Sequence, residues 1–170
     1  MAQGKNHSAR FQTGAVLVVA TAHFVHDTYT GFVAPLLPKL IEKLGLSLTI
    51  AGSLVLLLRL PALLQPVLGY LADRSGARRF VALAPATTAI LMSLIGQVDH
   101  PAALAALLIV TGLSTAAFHA PAPAMIGRVA GRRVGKGMSW FMAAGELART
   151  FGPLLAAWRS HFGDWKALIA

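Results

Sequence analysis

The chain contains no cysteine and few charged residues. Without cysteine, disulfide bonds, thiolate catalysis and cysteine-ligated metal sites are excluded. Charged residues make up only 12% of the 170 residues, whereas a soluble domain carries about a quarter. Hydrophobic residues make up 56% and occur in long blocks rich in Ala and Leu. These blocks lack the alternation of a membrane β-barrel, so they predict a helical integral membrane protein.

Five apolar blocks are long enough to span a bilayer core, which requires roughly 20 residues. They cover residues 13–38, 49–72, 80–98, 101–125 and 135–158, and a sixth block begins at 165–170. Prolines at 61, 66 and 85 fall inside these blocks, which a membrane bundle tolerates because neighbouring groups satisfy the freed carbonyls. We therefore predict a single all-α membrane domain over residues 1–170, with five transmembrane helices and the start of a sixth.

The basic residues lie mostly between the apolar blocks. The formal net charge is +9, and membrane topology explains it better than a nucleic-acid partner does. Nine basic residues fall on one side of the membrane (Lys5, Arg10, Arg74, Arg78, Arg79, Arg128, Arg132, Arg133, Lys136) and four on the other (Lys39, Lys43, Arg159, Lys166). This bias predicts a multi-pass protein of the plasma (inner) membrane with a cytoplasmic N-terminus. A signal peptide ending at Ala20-Thr21-Ala22 is the alternative for the N-terminus, although the apolar character continues to Leu37.

The string GYLADRSGARRF joins the second apolar block to the third. In order, it contains Gly69, Asp73, Arg74, Gly76, Arg78 and Arg79. Gly69 allows another helix to approach closely, and Gly76 permits a left-handed turn. Asp73 can pair with a nearby arginine or with a helix N-terminus, while the arginines anchor the next helix at the anionic leaflet. A polar loop with basic anchors explains each arginine singly, but it does not explain the whole ordered string.

This string resembles the signature between helices 2 and 3 of major facilitator superfamily transporters. The stretches AHFVHDTYTGFVAPLLPKL, RLPALLQPVLGYLADR, AAFHAPAP and GKGMSWFMAAGELARTFGPLL are similar to the fosmidomycin resistance proteins, a drug-efflux branch of that superfamily. The chain departs from the branch at Ala120-Pro121, where Pro-Glu is expected. It also departs from the antiporter pattern at Ala148, Ala156 and Ala157, where that pattern has glycines.

The resemblance also implies an architecture and a partner. Members of the superfamily have twelve helices in two six-helix halves, and this chain corresponds to the N-terminal half, cut short. A missing C-terminal half is therefore an expected partner. The resemblance further implies that Asp73 steadies the cytoplasmic contact between the two halves.

Four charged residues fall near the middle of predicted helices, where a charge costs at least about 2.5–3.5 kcal/mol. These residues are Asp27, Arg59, Glu146 and Arg149. Glu146 and Arg149 lie three residues apart on one helical face, so a structural ion pair is as good an interpretation as a functional one. Asp27 has no local partner, and we expect Arg59 or Arg149 to face it across the bundle. We predict that Asp27 binds the coupled proton, because a buried acid beside an arginine can bind and release a proton on a small movement.

Histidines and small residues complete the candidate sites. His23 and His119 are placed on the proton or substrate pathway, although packing beside two prolines is the alternative for His119. A metal site of His23, His26 and Asp27 is conceivable, but without a matching second cluster we predict no metal. Close helix contact and a helix bend are predicted at Gly145, Gly152 and Pro153.

These features predict a secondary transporter that couples proton movement to the efflux of small molecules or drugs. The alternative is a truncated membrane fragment that does not transport, or a membrane interaction partner, because half of the expected cavity is not encoded. An enzyme is not expected, since the sequence has neither a Ser–His–acid spacing nor a zinc-binding HExxH motif. No cofactor is expected.

Overall fold

The computed structural model describes residues 10–162, and these residues form eight α-helices and no strand. The helices are α1 (Thr13–Thr30), α2 (Val33–Leu44), α3 (Leu48–Arg59), α4 (Gln65–Ser75), α5 (Ala77–Ser93), α6 (Pro101–His119), α7 (Ala122–Ala130) and α8 (Val134–Phe162). Short 3₁₀ segments lie at Leu60–Leu64, Ile95–Gln97 and Gly131–Arg133. The predicted all-α class is confirmed for this part of the chain, and the predicted start of a helix at 165–170 lies outside it.

Three helical stretches of the described chain are long and apolar enough to cross a membrane. They are Leu48–Ser75, Ala77–Gln97 and Pro101–Phe162. The third stretch folds back on itself, because Phe141 of α8 stacks on Phe118 of α6 with ring centroids 6.5 Å apart. Helix α1 is not among the three, since its buried histidines and Asp27 interrupt an otherwise apolar sequence.

The first predicted block, 13–38, is wrong as a single helix. The structure divides it at Gly31–Phe32 into α1 and α2, and α2 continues to Leu44. Two local features favour the break. Pro35 has no N–H to donate to the carbonyl of Gly31, and the hydroxyl of Thr30 donates to the carbonyl of Asp27 at 3.1 Å, which competes with helical bonding.

The other predicted blocks differ from the structure mainly at prolines and ends. The 49–72 block contains the 3₁₀ segment Leu60–Leu64, which has Pro61 in its first turn. The 101–125 block is divided by a turn at Ala120–Pro121, and α7 then runs on to Ala130. The 80–98 block ends its α-helix at Ser93, while the 135–158 block extends to Val134–Phe162 as α8. Proline is therefore present at both internal interruptions, Leu60–Leu64 and Ala120–Pro121, whereas α5 and α8 each contain a proline without a break.

Two hydrophobic clusters are separated by a layer of buried polar residues. One cluster includes Leu36 and Leu40 of α2, packed with Leu54, Leu104 and Leu108. The other joins α1 to α5, α6, α7 and α8, and its largest members are Val16, Val19, Val81, Phe118, Ile126 and Phe141. The buried polar side chains of the described residues all lie at intermediate positions along α1, α5 and α6: His23, His26, Asp27, Thr88, Thr111 and Ser114. We call these six residues the polar layer.

Helix α1 packs most extensively against α8, and a glycine makes this approach possible. A Cβ atom built at Gly152 would lie 2.5 Å from the carbonyl oxygen of Thr28. A real Cβ cannot occupy that position, and the obstacle is backbone rather than a movable side chain. The two helices can therefore keep this separation only with glycine at position 152.

We predict that Gly152→Ala lowers the free energy of unfolding by about 1–3 kcal/mol, because α1 and α8 must move apart to admit the methyl group. Thermal unfolding in detergent micelles measures the effect. Gly52→Ala is the matched control, since a Cβ at Gly52 in α3 would meet no atom within 4 Å. That control should be neutral or stabilising by up to about 1 kcal/mol. Equal unfolding temperatures for the two variants would contradict the predicted contact.

Candidate functional site

Asp27 lies in the polar layer with four basic groups around its carboxylate. Its residue exposure is 4%. His23 Nε2 lies 3.3 Å from Oδ2, and His26 Nδ1 lies 3.2 Å from Oδ1. His119 Nε2 lies 3.5 Å from Oδ1, and Arg149 Nε lies 3.7 Å from Oδ2. The expectation that Asp27 has no local partner is therefore wrong, because both histidines of its own helix contact it. We call Asp27 and the three histidines the Asp27 cluster.

His23 is held firmly by α8. Its Nδ1–H donates to the carbonyl of Phe141 at 2.8 Å, and its ring stacks on the Phe141 ring at a centroid distance of 4.0 Å. A Cβ at Gly145 would overlap the His23 ring, so this glycine provides the space for it. His23 Nε2 is within ion-pair distance of Asp27 but outside hydrogen-bond geometry, and it is the one buried side-chain nitrogen or oxygen of the described residues without a hydrogen-bond partner.

His26 belongs to a chain of side-chain hydrogen bonds across three helices. Its Nε2 lies 3.3 Å from the Oγ1 of Thr88 in α5. Thr88 donates to Ser114 of α6 at 2.9 Å, and Ser114 donates to the carbonyl of Ala84 at 3.0 Å. Sequence reasoning missed Thr88 and Ser114. The sequence does place hydroxyl side chains inside the apolar blocks, but this pattern does not distinguish Thr88 and Ser114 from the other Ser and Thr residues there.

A cavity of about 250 Å³ adjoins Asp27. Its lining combines the charged residues predicted from the sequence with small and polar ones: Asp27, Thr30, Gly31, Leu58, Arg59, Ala62, Gln65, Gly112, Thr115, His119 and Arg149. Arg59 and Arg149 thus line the same cavity as Asp27. Of these two arginines, Arg149 is the one for which the described residues show an ion pair with the Asp27 carboxylate.

Glu146 and Arg149 form the predicted local pair, with Arg149 Nη1 2.8 Å from Glu146 Oε1. Their side chains are each 61% exposed. This pair therefore lies on the surface of the described bundle, and Arg59 is exposed as well, so Asp27 alone of the four midhelix charges is buried. Arg149 connects that surface to the buried Asp27.

The Asp27 cluster brings together ligand-type atoms. One atom from each of His23, Asp27 and His119 lies within 4.8 Å of the other two. The metal site considered from the sequence combined His23 and Asp27 with His26, whereas the structure places His119 in that third position. Three such atoms are close enough to share a cation. Arg149 already presents a positive charge to the same carboxylate, which disfavours a divalent ion there, and we assign no metal to the cluster.

The GYLADRSGARRF hairpin adopts the predicted turn between α4 and α5. Gly76 has a φ of 102°, a conformation that favours glycine. Asp73 lies 3.9 Å from the guanidinium of Arg128 in α7, which agrees with the predicted arginine partner. A Cβ at Gly69 would lie 3.8 Å from the Cβ of Ala120, an ordinary contact, so close approach at Gly69 does not require glycine within the described bundle.

The remaining predicted residues have simple placements. Arg74 lies over the ring of Tyr70 at 4.7 Å, and Arg78 and Arg79 line a cavity beside Arg128. Pro153 lies within α8, and its Cδ would be 3.2 Å from a Cβ at Gly31. Gly145 and Gly152 therefore have the predicted role in close helix contact, while a bend at Pro153 stays a prediction.

A family model described as Major Facilitator Superfamily matches residues 19–170 of the chain. The match includes most of α1 and all the later helices described above. Neither the curated proteins nor the solved structures gave a match.

We predict that Thr88→Val destabilises the chain by about 1–3 kcal/mol, because the change leaves buried donors and acceptors of His26 and Ser114 unsatisfied. Unfolding in detergent measures the effect. Thr87→Val is the matched control in the same helix, since Thr87 is exposed and its hydroxyl bonds only to the carbonyl of Leu83. The hydrogen-bond chain would be contradicted if both variants unfolded at the same temperature.

Proposed function

Because the chain belongs to the major facilitator superfamily, we propose that it contributes the proton-binding site and one wall of the substrate pathway to a proton-coupled exporter. Proteins of this superfamily are secondary transporters of small molecules in lipid bilayers. The family and the three long apolar stretches identify a multi-pass membrane protein. Export of drugs or similar compounds is supported by the resemblance to fosmidomycin resistance proteins.

The single observation that carries the proposal is the position of Asp27. It is a buried acid beside a cavity, and Arg149 approaches it at 3.7 Å while pairing more closely with Glu146 at 2.8 Å. Arg149 can therefore bind either acid. When Arg149 turns towards Asp27, the carboxylate is neutralised without a proton. When Arg149 turns towards Glu146, a proton at the Asp27 cluster supplies the missing positive charge.

The same arrangement links the proton to the substrate. Asp27 itself lines the cavity, so a small molecule that presents a positive charge or hydrogen-bond donors to its carboxylate competes with the added proton for it. Substrate binding and proton binding then change in opposite senses, which is the requirement for exchange. A second helical half is proposed to close the cavity on the side where Glu146 and Arg149 are exposed.

We propose a cytoplasmic location for the end of the bundle that carries most of its basic residues. Arg10 lines one cavity with Arg132, Arg133 and Lys136, and Arg78 lines another with Arg79 and Arg128. The start of α1, the α4–α5 turn and the α7–α8 turn therefore meet at one end. The positive-inside bias supports a cytoplasmic N-terminus in the plasma membrane.

The coupling proposal predicts that Asp27→Asn abolishes export driven by a proton gradient, because asparagine gives a bound proton no counter-charge. Exchange of substrate across the membrane without a gradient should persist. A panel of small drugs is assayed in vesicles that contain the chain alone, or the chain joined to a second six-helix half of the same family. Glu42→Gln, a change at an exposed acid of α2, is the control. Gradient-driven export by Asp27→Asn at the wild-type rate would rule out the role assigned to this residue.

The orientation predicts opposite labelling of two single cysteines in intact cells. Because the sequence has no cysteine, Ser47→Cys and Ser75→Cys each provide one thiol, at the two ends of the Leu48–Ser75 stretch. A membrane-impermeant maleimide should label Ser47→Cys in intact cells and label Ser75→Cys only after permeabilisation. The reverse pattern would place the basic end outside the cell.

A further inference from the structure

Each histidine of the Asp27 cluster holds one ring nitrogen in a bond to the surrounding bundle and directs the other at Asp27. A carbonyl oxygen only accepts, so His23 Nδ1 must carry the proton in its bond to Phe141 at 2.8 Å. For the same reason His119 Nδ1 carries a proton, because it bonds to the carbonyl of Thr115 at 3.0 Å. In both rings Nε2 is therefore the nitrogen whose protonation is open, and in both it faces the Asp27 carboxylate.

The hydroxyl chain fixes His26 in the opposite tautomer. Ser114 must donate to the carbonyl of Ala84, so it accepts from Thr88, whose single proton is then used. Thr88 can only accept from His26, and His26 Nε2 must carry a proton. The open nitrogen of His26 is therefore Nδ1, 3.2 Å from Asp27 Oδ1.

Three open nitrogens thus converge on one carboxylate. A neutral imidazole would direct a lone pair at an anionic oxygen, which is repulsive, and a proton placed between the two atoms converts the contact into an ion pair. One proton also balances the charge of the site, since Arg149 is paired with Glu146 at 2.8 Å and Asp27 carries a single negative charge. The lone-pair contacts and the charge balance of the cluster therefore both favour the binding of one added proton.

We propose that His23 Nε2 holds the coupled proton, that His119 admits it, and that Asp27 is its counter-ion. This inference rests on the proposed function and specifies which atom of that site binds the proton. Within residues 10–162, His23 Nε2 is the buried side-chain nitrogen without a hydrogen-bond partner, and the Phe141 ring stacked on His23 stabilises a cationic imidazole. His119 lines the cavity with 25% of its side chain exposed, and it contacts both Asp27 and His23.

The groups that face His23 come from several helices, and each has a defined place in the proposal. Asp27 of α1 supplies the negative charge, while His26 of α1 is fixed through Thr88 of α5. His119 of α6 faces the ring at a centroid distance of 5.2 Å. Arg149 of α8 contributes a positive charge at the same carboxylate and leaves it for Glu146 when the proton binds.

The test uses nitrogen-15 NMR of the histidine rings in the full 170-residue chain, held in lipid nanodiscs and titrated from alkaline to acidic pH. Before proton uptake, His23 and His119 should be Nδ1–H tautomers and His26 the Nε2–H tautomer. On acidification the His23 signal should be the first of the three to change to that of the doubly protonated ring. An Nε2–H tautomer at His23, or first protonation of His26, would overturn the proposal.

Variants separate the binding site from the entry step. Asparagine can keep the donor that bonds to the backbone carbonyl but cannot take up a proton. His23→Asn should therefore lose one proton of uptake per chain, whereas His119→Asn should keep the amount and slow the rate. His161→Asn, a change at an exposed histidine of α8, should alter neither. Full uptake by His23→Asn overturns the assignment.

These outcomes are separable from those of the transport assay. The NMR tautomers and the proton uptake are measured without substrate or gradient. If the His23 assignment holds and export does not depend on a proton gradient, the proposed function fails and the proton site stands. If export is proton-driven and His23→Asn still couples normally, the proposed function stands and the assignment to His23 fails.

Discussion

The buried carboxylate of Asp27 is the constraint on which the rest of the bundle depends. A charge at bilayer depth is costly unless it is paired, and here the partners come from three helices: two histidines of α1, His119 of α6 and Arg149 of α8. The hydroxyl chain adds α5. Bringing α8 near enough requires glycine at 145 and 152, where any side chain would meet His23 or the backbone of Thr28. The close packing of α8 on α1 and the pairing of the Asp27 charge therefore depend on one another.

In the coupling that we propose, the site alternates between two charge patterns. In one, Arg149 neutralises Asp27 and Glu146 is free. In the other, a protonated histidine neutralises Asp27 and Arg149 remains with Glu146. A change between the two patterns requires only a rotation of the Arg149 side chain, yet it alters the charge on the cavity wall that a substrate contacts. Coupling of this kind needs a difference in affinity between two states.

Hydropathy predicted the positions of the helical regions, and the midhelix charges predicted the residues that meet at the cavity. The breaks at Gly31–Phe32 and Ala120–Pro121 were not predicted, because proline is tolerated or disruptive according to the groups packed around it. Thr87 and Thr88 show most clearly what could not be predicted from the sequence. They are adjacent and identical in sequence, but one bonds to its own helix while the other orients His26. Only the packing of α1, α5 and α6 distinguishes them.

The exposed pair of Glu146 and Arg149 constrains what can lie next to α8. Both side chains are 61% exposed near the middle of α8, and each charge in contact with hydrocarbon would cost at least about 2.5 kcal/mol. Mutual pairing offsets part of this cost but leaves hydrogen-bonding groups unsatisfied. Contact with water or with other protein would remove this cost, which is why we propose that a second helical half covers this face of α8. The face adjoins the cavity through Arg149, so we propose that the substrate pathway continues there from the described helices.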